Sequence, residues 1–132
     1  FVVGASLTVP IYGVVLRKGY GLGAMAMVAG GFKEAALTVS WPTGEFGGMG
    51  LEGAVRLGFR KELEAVSDPV EKEELYQKLV AGMYAQGKAV AYASATEIDG
   101  VIDPAETRSW IANARNVAPP PARGGRPFVD TW

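Results

Sequence analysis

The sequence contains no cysteine and no histidine. Disulfides, thiol nucleophiles, zinc-finger ligand sets and any imidazole general base are thereby excluded, and a Ser-His-Asp triad is impossible. An excess of charge is also missing. Thirteen Lys plus Arg stand against fourteen Asp plus Glu, a net charge of -1. That balance offers no electrostatic attraction for nucleic acid or an anionic membrane. Long apolar runs are lacking too. The uncharged stretch Phe1–Leu16 is interrupted by Gly4, Pro10 and Gly13 and has no basic leader, whereas a spanning helix needs about 20 apolar residues. It is read as buried soluble structure, and a cytoplasmic location is expected. Because the chain opens on Phe rather than Met, in mid-pattern, the natural reading frame is expected to extend upstream.

What remains is a chain of 132 residues, 48% hydrophobic and 20% charged. Such a composition builds one packed domain, or a piece of one. Glycine stands out at 18 residues, about twice its usual share. With thiols and imidazoles gone, any chemistry must rest on carboxylates, Lys, hydroxyls or backbone amides. Glycine is the residue that lets a backbone approach a ligand.

Phe1–Thr8 reads as the end of a helix, stopped by Pro10. Ile11–Leu16 is an apolar, β-branched run without alternation, which predicts a strand buried on both faces of a mostly parallel sheet. A turn at Gly19–Gly23 leads to a close-packed small-residue helix over Ala24–Ala29, ended by Gly30-Gly31. Ala36–Trp41 predicts a second strand, so the segment is an α/β crossover unit. Pro42-Thr43-Gly44 makes a turn and Gly47-Gly48-Met49-Gly50 a loop before a helix over Glu52–Leu63. Asp68-Pro69 pairs an N-cap with proline at the first helical position. The helix it opens carries Leu75, Leu79 and Met83 as its buried stripe, with Val80 and Tyr84 beside them. Gly87–Ala95 reads as helical and Glu97–Ile102 as a short strand or extended edge. Asp103-Pro104 repeats the start signal for a helix over 105–115, anchored by Trp110 and Ile111. From Val117 the composition turns to proline and glycine, an extended tail over 117–132 following a domain at 1–116.

The junction Arg17–Met27 is the most informative segment. Glycines at a strand-to-helix boundary bring free amides and the positive end of a helix dipole to one point, which stabilises an anion. The plainer reading is a tight turn and close packing. Gly21-Leu22-Gly23-Ala24-Met25-Ala26 also fits a dinucleotide fingerprint, but the acidic residue it requires about 20 positions on is missing, since Glu45 falls late and beyond a proline turn. Glu45 reads as a turn residue and Glu52 as a complement to a helix N-terminus, rather than as an acid/base pair. Met25, Met27 and Met49 read as core filling before pocket lining. The alternating charges from Arg60 to Lys78 read as a solvated face. No metal site is expected.

Four motifs together carry a resemblance: Val14-Val15-Leu16-Arg17-Lys18-Gly19-Tyr20-Gly21, then Trp41-Pro42-Thr43-Gly44-Glu45, Met49-Gly50-Leu51-Glu52-Gly53-Ala54-Val55, and Ile98-Asp99-Gly100-Val101-Ile102-Asp103-Pro104-Ala105-Glu106-Thr107-Arg108. In order and spacing the chain resembles the C-terminal portion of the carboxyltransferase (β) subunit of biotin-dependent acyl-CoA carboxylases, over about Phe1 to Trp110. The resemblance implies an α/β fold, part of a crotonase (ClpP-like) β/α superhelix. It implies transfer of a carboxyl group from carboxybiotin to the α-carbon of an acyl-CoA, with backbone amides stabilising the enolates. By position, the amides of Leu22 and Gly23 would form the oxyanion hole on the biotin side. Gly21, Ala24, Met25, Met49 and Gly50 would line the biotin and acyl-CoA pocket. Leu22 departs from the Gly-Gly-Ala that relatives often carry there, and Met25 falls where relatives set acyl-chain preference. The implied partners are a biotin carboxylase and biotin carboxyl carrier subunit, together with a homo-oligomer or the N-terminal half of the carboxyltransferase. Two alternatives stand beside this reading: a non-catalytic structural or interaction fragment of the same fold, and a crotonase-family hydratase or isomerase, whose chemistry adds side-chain carboxylates. As an isolated fragment the chain is expected to be inactive.

Overall fold

A computed structural model describes residues 1–5, 7 and 9–117; the expected tail beyond Val117 lies outside them. In chain order the elements are α1 (Val2–Ala5), β1 (Tyr12–Val15), β2 (Lys18–Tyr20), α2 (Gly21–Met27), β3 (Leu37–Ser40), β4 (Glu45–Gly47), α3 (Leu51–Gly58), α4 (Arg60–Ala65), α5 (Pro69–Gln86), α6 (Ala89–Ser94), β5 (Gly100–Val101), a 3₁₀ turn (Pro104–Glu106) and α7 (Thr107–Val117).

Two parallel ladders organise the chain. In the first, β3 lies between β1 and β5, with Tyr12 opposite Leu37, Val15 opposite Ser40, and Val39 opposite Gly100. In the second, β2 lies beside β4, with Lys18 opposite Glu45 and Tyr20 opposite Gly47. The unit strand, short strand, helix therefore occurs twice, as β1-β2-α2 and β3-β4-α3. Each copy gives one strand to each ladder, so the second turn of chain stacks on the first. Arg17, Trp41 and Glu45 stitch the corners. The Trp41 amide donates to the Val15 carbonyl at 3.0 Å, and the Glu45 amide to that of Arg17.

The second ladder was not expected, because residues 18–20 and 45–47 read as turn and loop. Strands of three residues are too short to show a period, and only the pairing with each other defines them. The strand buried on both faces is β3, in which all four residues are buried, whereas β1 is an edge strand and Leu16 is half exposed. Leu37 and Val39 pack with Ile102 and Ala114, with Tyr12, Val14 and Trp41 alongside. Ser40, fully buried, has its hydroxyl within bonding reach of the Val15 and Trp41 carbonyls, at 3.1 and 2.9 Å. Its polarity is thus matched inside the core.

Both Asp-Pro starts form as expected. Asp68 accepts from the amides of Val70 and Glu71 at 2.8 and 3.0 Å, and Asp103 accepts from that of Ala105 at 2.8 Å. The second opens the 3₁₀ turn before α7, and the buried residue of α7 is Ala114, while Trp110 is exposed and Ile111 half-buried. The expected single helix 52–63 is broken into α3 and α4 at Phe59, directly after Gly58, a poor helix former. In α5 the stripe of Leu75, Leu79, Val80, Met83 and Tyr84 is half-buried. Helix α2 starts three residues earlier than expected and ends at Met27, with Ala29 rather than glycine taking the first positive φ after it.

Candidate functional site

The stacked turns bring the two glycine segments together. At the end of β2, Gly21 has φ +63°, a conformation open to glycine, and opens α2. A Cβ at this position would lie 2.8 Å from the Gly48 carbonyl oxygen. That carbonyl belongs to the loop that carries the chain from β4 into α3, so the two strand-to-helix junctions touch. Tyr20, which precedes α2, offers no side-chain cap, and neither does Gly50 before α3. The opening amides of both helices consequently have no side-chain acceptor from their caps.

Two half-open hollows lie beside these junctions. The first, about 490 Å³, is lined by Gly21, Met25 and Phe32, by Ala91 and Tyr92 of α6, and by Ala95 just after it. The second, about 370 Å³, is lined by Met49, Leu51, Ala54 and Met83. Gly47, Gly48, Gln86 and Tyr92 border both. The wall between them is fixed by Phe46, which is fully buried, stacks on Tyr92 with ring centres 4.6 Å apart and meets Phe32 edge-on at 5.4 Å. Such pairs favour this offset and T-shaped geometry. Glu97 lies at the rim of the first hollow, 3.6 Å from Lys33.

Of the residues singled out in the sequence, Gly21 and Met25 line the first hollow and Met49 the second. Gly50 is the N-cap of α3. Leu22, Gly23 and Ala24 form the first turn of α2 and line neither hollow; the Leu22 side chain is 68% exposed, so the leucine does not fill the site. The methionines are not core residues: Met27 and Met49 are exposed and Met25 is half-buried. Sequence reasoning missed Phe32, Gln86 and Tyr92. Its usable signal was the small-residue run around Ala91, which brings α6 close.

The two carboxylates nearest the junctions are engaged. Tyr20 donates its hydroxyl to Glu45 at 2.8 Å, and Tyr84 donates to Glu52 at 2.5 Å. Burial, and then the Glu45 carboxylate that accepts its proton, push the Tyr20 phenol well above its usual range. The hydrogen bond from Tyr84 lowers the Glu52 carboxyl, helped by its own backbone amide and by Lys18. Glu45 is a strand residue rather than a turn residue; Glu52 does sit in the first turn of α3, as expected. Among the described residues there is no cluster of three or more metal-ligating acidic side chains, and no helix long and apolar enough to cross a membrane.

Two parallel ladders built from successive turns, with glycine junctions in contact at one end, define a β/α superhelix of the crotonase type. Comparison with known proteins gives the family. The carboxyl transferase domain matches residues 4–123, and the chain belongs to that family. It is 41% identical over 111 residues to the methylmalonyl-CoA carboxyltransferase 12S subunit of Propionibacterium freudenreichii subsp. shermanii, covering 81% of this chain and 20% of that one. It is 38% identical over 107 residues to the propionyl-CoA carboxylase carboxyltransferase subunit of Haloferax mediterranei, covering 79% and 20%. A single-chain, multi-domain long-chain acyl-CoA carboxylase superposes with a TM-score of 0.70 at 54% identity, over 86% of this chain and 11% of that one. The transcarboxylase 12S crystal structure, a hexamer with methylmalonyl-CoA and methylmalonic acid bound, superposes with a TM-score of 0.76 at 32% identity, over 96% and 25%. The chain thus spans about one fifth of the length of the curated relatives it matches.

Proposed function

We propose that the chain is the biotin-facing part of an acyl-CoA carboxyltransferase, with the amides of Leu22 and Gly23 as the donors that hold developing negative charge. Membership of the carboxyl transferase family carries this reading. The geometry supports it: an uncapped helix start adjoins an apolar hollow, which suits a neutral ureido ring and a thioester carbonyl. When bound, carboxybiotin on a carrier protein supplies the carboxyl group that replaces the α-proton of the acyl-CoA. Among the described residues the chain offers no free carboxylate at the junctions, because Glu45 and Glu52 each accept a hydrogen bond from a tyrosine. Its own contribution is to orient amides and to exclude water with Met25, Phe32 and Tyr92. The reading keeps Ala24, Met49 and Gly50 as binding residues, of which Met49 lines the second hollow. The reading includes a biotin carboxylase and carrier subunit as partners, an oligomeric assembly and a cytoplasmic location.

Replacing Gly23 with proline in the full-length enzyme tests the assignment. The first amides of a helix have no intrahelical acceptor, so proline there removes a donor without breaking the helix. Carboxyl transfer should fall about 10²- to 10³-fold, the usual cost of one oxyanion donor. Unchanged turnover in an intact assembly overturns it.

A further inference from the structure

Helix α2 has little of its own to hold the amides of Leu22 and Gly23 in place. From Gly21 to Met27 it carries no polar side chain, so it cannot anchor itself by side-chain hydrogen bonds. Its start is fixed from the residue before it. Tyr20 is both the last residue of β2 and the N-cap of α2, in extended geometry with φ -104° and ψ 135°. It lies opposite Gly47 in the ladder, and Glu45, two residues before Gly47, shares that face. A Cβ on Gly47 would lie 3.7 Å from a carbon of the Tyr20 ring. The ring thus runs beside a glycine backbone, and its hydroxyl reaches the Glu45 carboxylate at 2.8 Å. Glu45 is itself well anchored. Its amide donates to the Arg17 carbonyl on one edge of β4, while on the other edge the Phe46 amide donates to Gly87 at 2.7 Å and the Ala89 amide to Gly44 at 3.0 Å.

We propose that Tyr20 and Glu45 are positioning residues for carboxyl transfer: their hydrogen bond fixes the point from which α2 starts and so sets where the Leu22 and Gly23 amides aim. The inference rests on the carboxyltransferase reading above, which supplies those donors, and assigns the side chains that keep them in register. Donors stabilise developing charge only where they are aimed at it beforehand, and misplacement by 1 Å can cost about 10²-fold in rate. Glu45 serves here as an acceptor rather than as a charge, since a negative carboxylate near an anion opposes it. A neutral acceptor of the same shape should therefore serve nearly as well. The other tyrosine–glutamate bond, from Tyr84 to Glu52, lies at the first turn of α3 instead of α2 and provides the comparison.

The test uses the full-length enzyme assembled with its biotin carrier and measures kcat and KM separately, with whichever of acetyl-, propionyl- and palmitoyl-CoA the wild type carboxylates fastest. Tyr20→Phe keeps the ring and removes the donor, Glu45→Leu removes the acceptor, and Glu45→Gln retains an acceptor oxygen. The first two should each lower kcat about tenfold with KM unchanged, the signature of an interaction that acts on the transition state. Glu45→Gln should stay within about threefold of the wild type, its neutral bond being weaker than a charged one. Tyr84→Phe should leave kcat unchanged. Tyr20→Phe is close to isosteric and keeps the test available if Glu45→Leu does not fold. An unchanged kcat in Tyr20→Phe, equal losses in Glu45→Gln and Glu45→Leu, or a loss in Tyr84→Phe as large as in Tyr20→Phe overturns the positioning role. Gly23→Pro is measured beside them. If it loses transfer, those results leave the carboxyltransferase reading standing; if it keeps full turnover, or the wild type carboxylates none of the three thioesters, both fall.

Discussion

Replacing Gly21 with alanine perturbs a point where the two junctions touch. Two separate costs follow from the structure. An L-residue held at φ +63° costs about 1–2 kcal/mol. The new Cβ would sit 2.8 Å from the Gly48 oxygen, against 3.4 Å for ordinary contact, so the junctions must separate by about half an ångström. Misplacement by 1 Å can cost about 10²-fold in rate, so this shift should cost roughly tenfold. The assay is carboxyl transfer by the full-length enzyme, with apparent Tm measured in parallel. Asparagine tolerates the left-handed region but still carries a Cβ. Gly21→Asn should therefore lose rate as Gly21→Ala does, while losing less stability. An unchanged rate for Gly21→Ala would refute the contact as a positioning element. Equal stability of the two variants would refute the φ argument.

Two further outcomes follow from burial and titration. Phe46→Ala removes a fully buried ring and its contacts with both Phe32 and Tyr92; it should cost about 3–5 kcal/mol and lower amide protection across β2 and β4, read by hydrogen exchange on the full-length protein. The Tyr20 phenol is raised in the folded state, so its contribution is fully present below the unfolded value of about 10 and is lost as pH rises through the folded one. Tyr20→Phe should flatten the alkaline limb of the stability profile from about pH 10 upward; an identical limb in both proteins rejects titration of the Tyr20 phenol as its cause.

The parts of the fold that were legible in the sequence are those set by local chemistry. Asp68 and Asp103 cap their helices because a carboxylate followed by proline suits that geometry wherever it stands. Strand β3 is legible because Leu37, Thr38 and Val39 are strand-favouring residues that run up to the Pro42-Thr43-Gly44 turn. The second ladder was not legible, since Gly19 acquires strand geometry only by lying opposite Phe46, 27 positions away. Exposure was misjudged for Met27 and Trp110 because an apolar side chain on a short helix carries no record of which way the helix faces. At the site, Gly21 was recognisable as a glycine that a junction requires. The approach of the Gly48 carbonyl to Gly21 was not, because it joins two segments far apart in the chain. Tyr92 escaped notice because stacking on Phe46 depends on two elements brought together only in the folded chain.

The uncapped start of α2 has a consequence for how this region can be mapped. Its polar groups belong to the main chain, so they survive nearly every side-chain replacement. An alanine scan through Leu22 and Gly23 would leave each N–H in place and report the segment as inert. Thiol-directed and imidazole-directed reagents would find nothing to label, since the chain has neither group. Only chemistry that edits the amide itself, such as proline scanning or an ester linkage in place of a peptide bond, would make this stretch visible. Sequence variation across relatives would be equally uninformative at Leu22, where the side chain points to solvent and the atom of interest is common to all residues but proline.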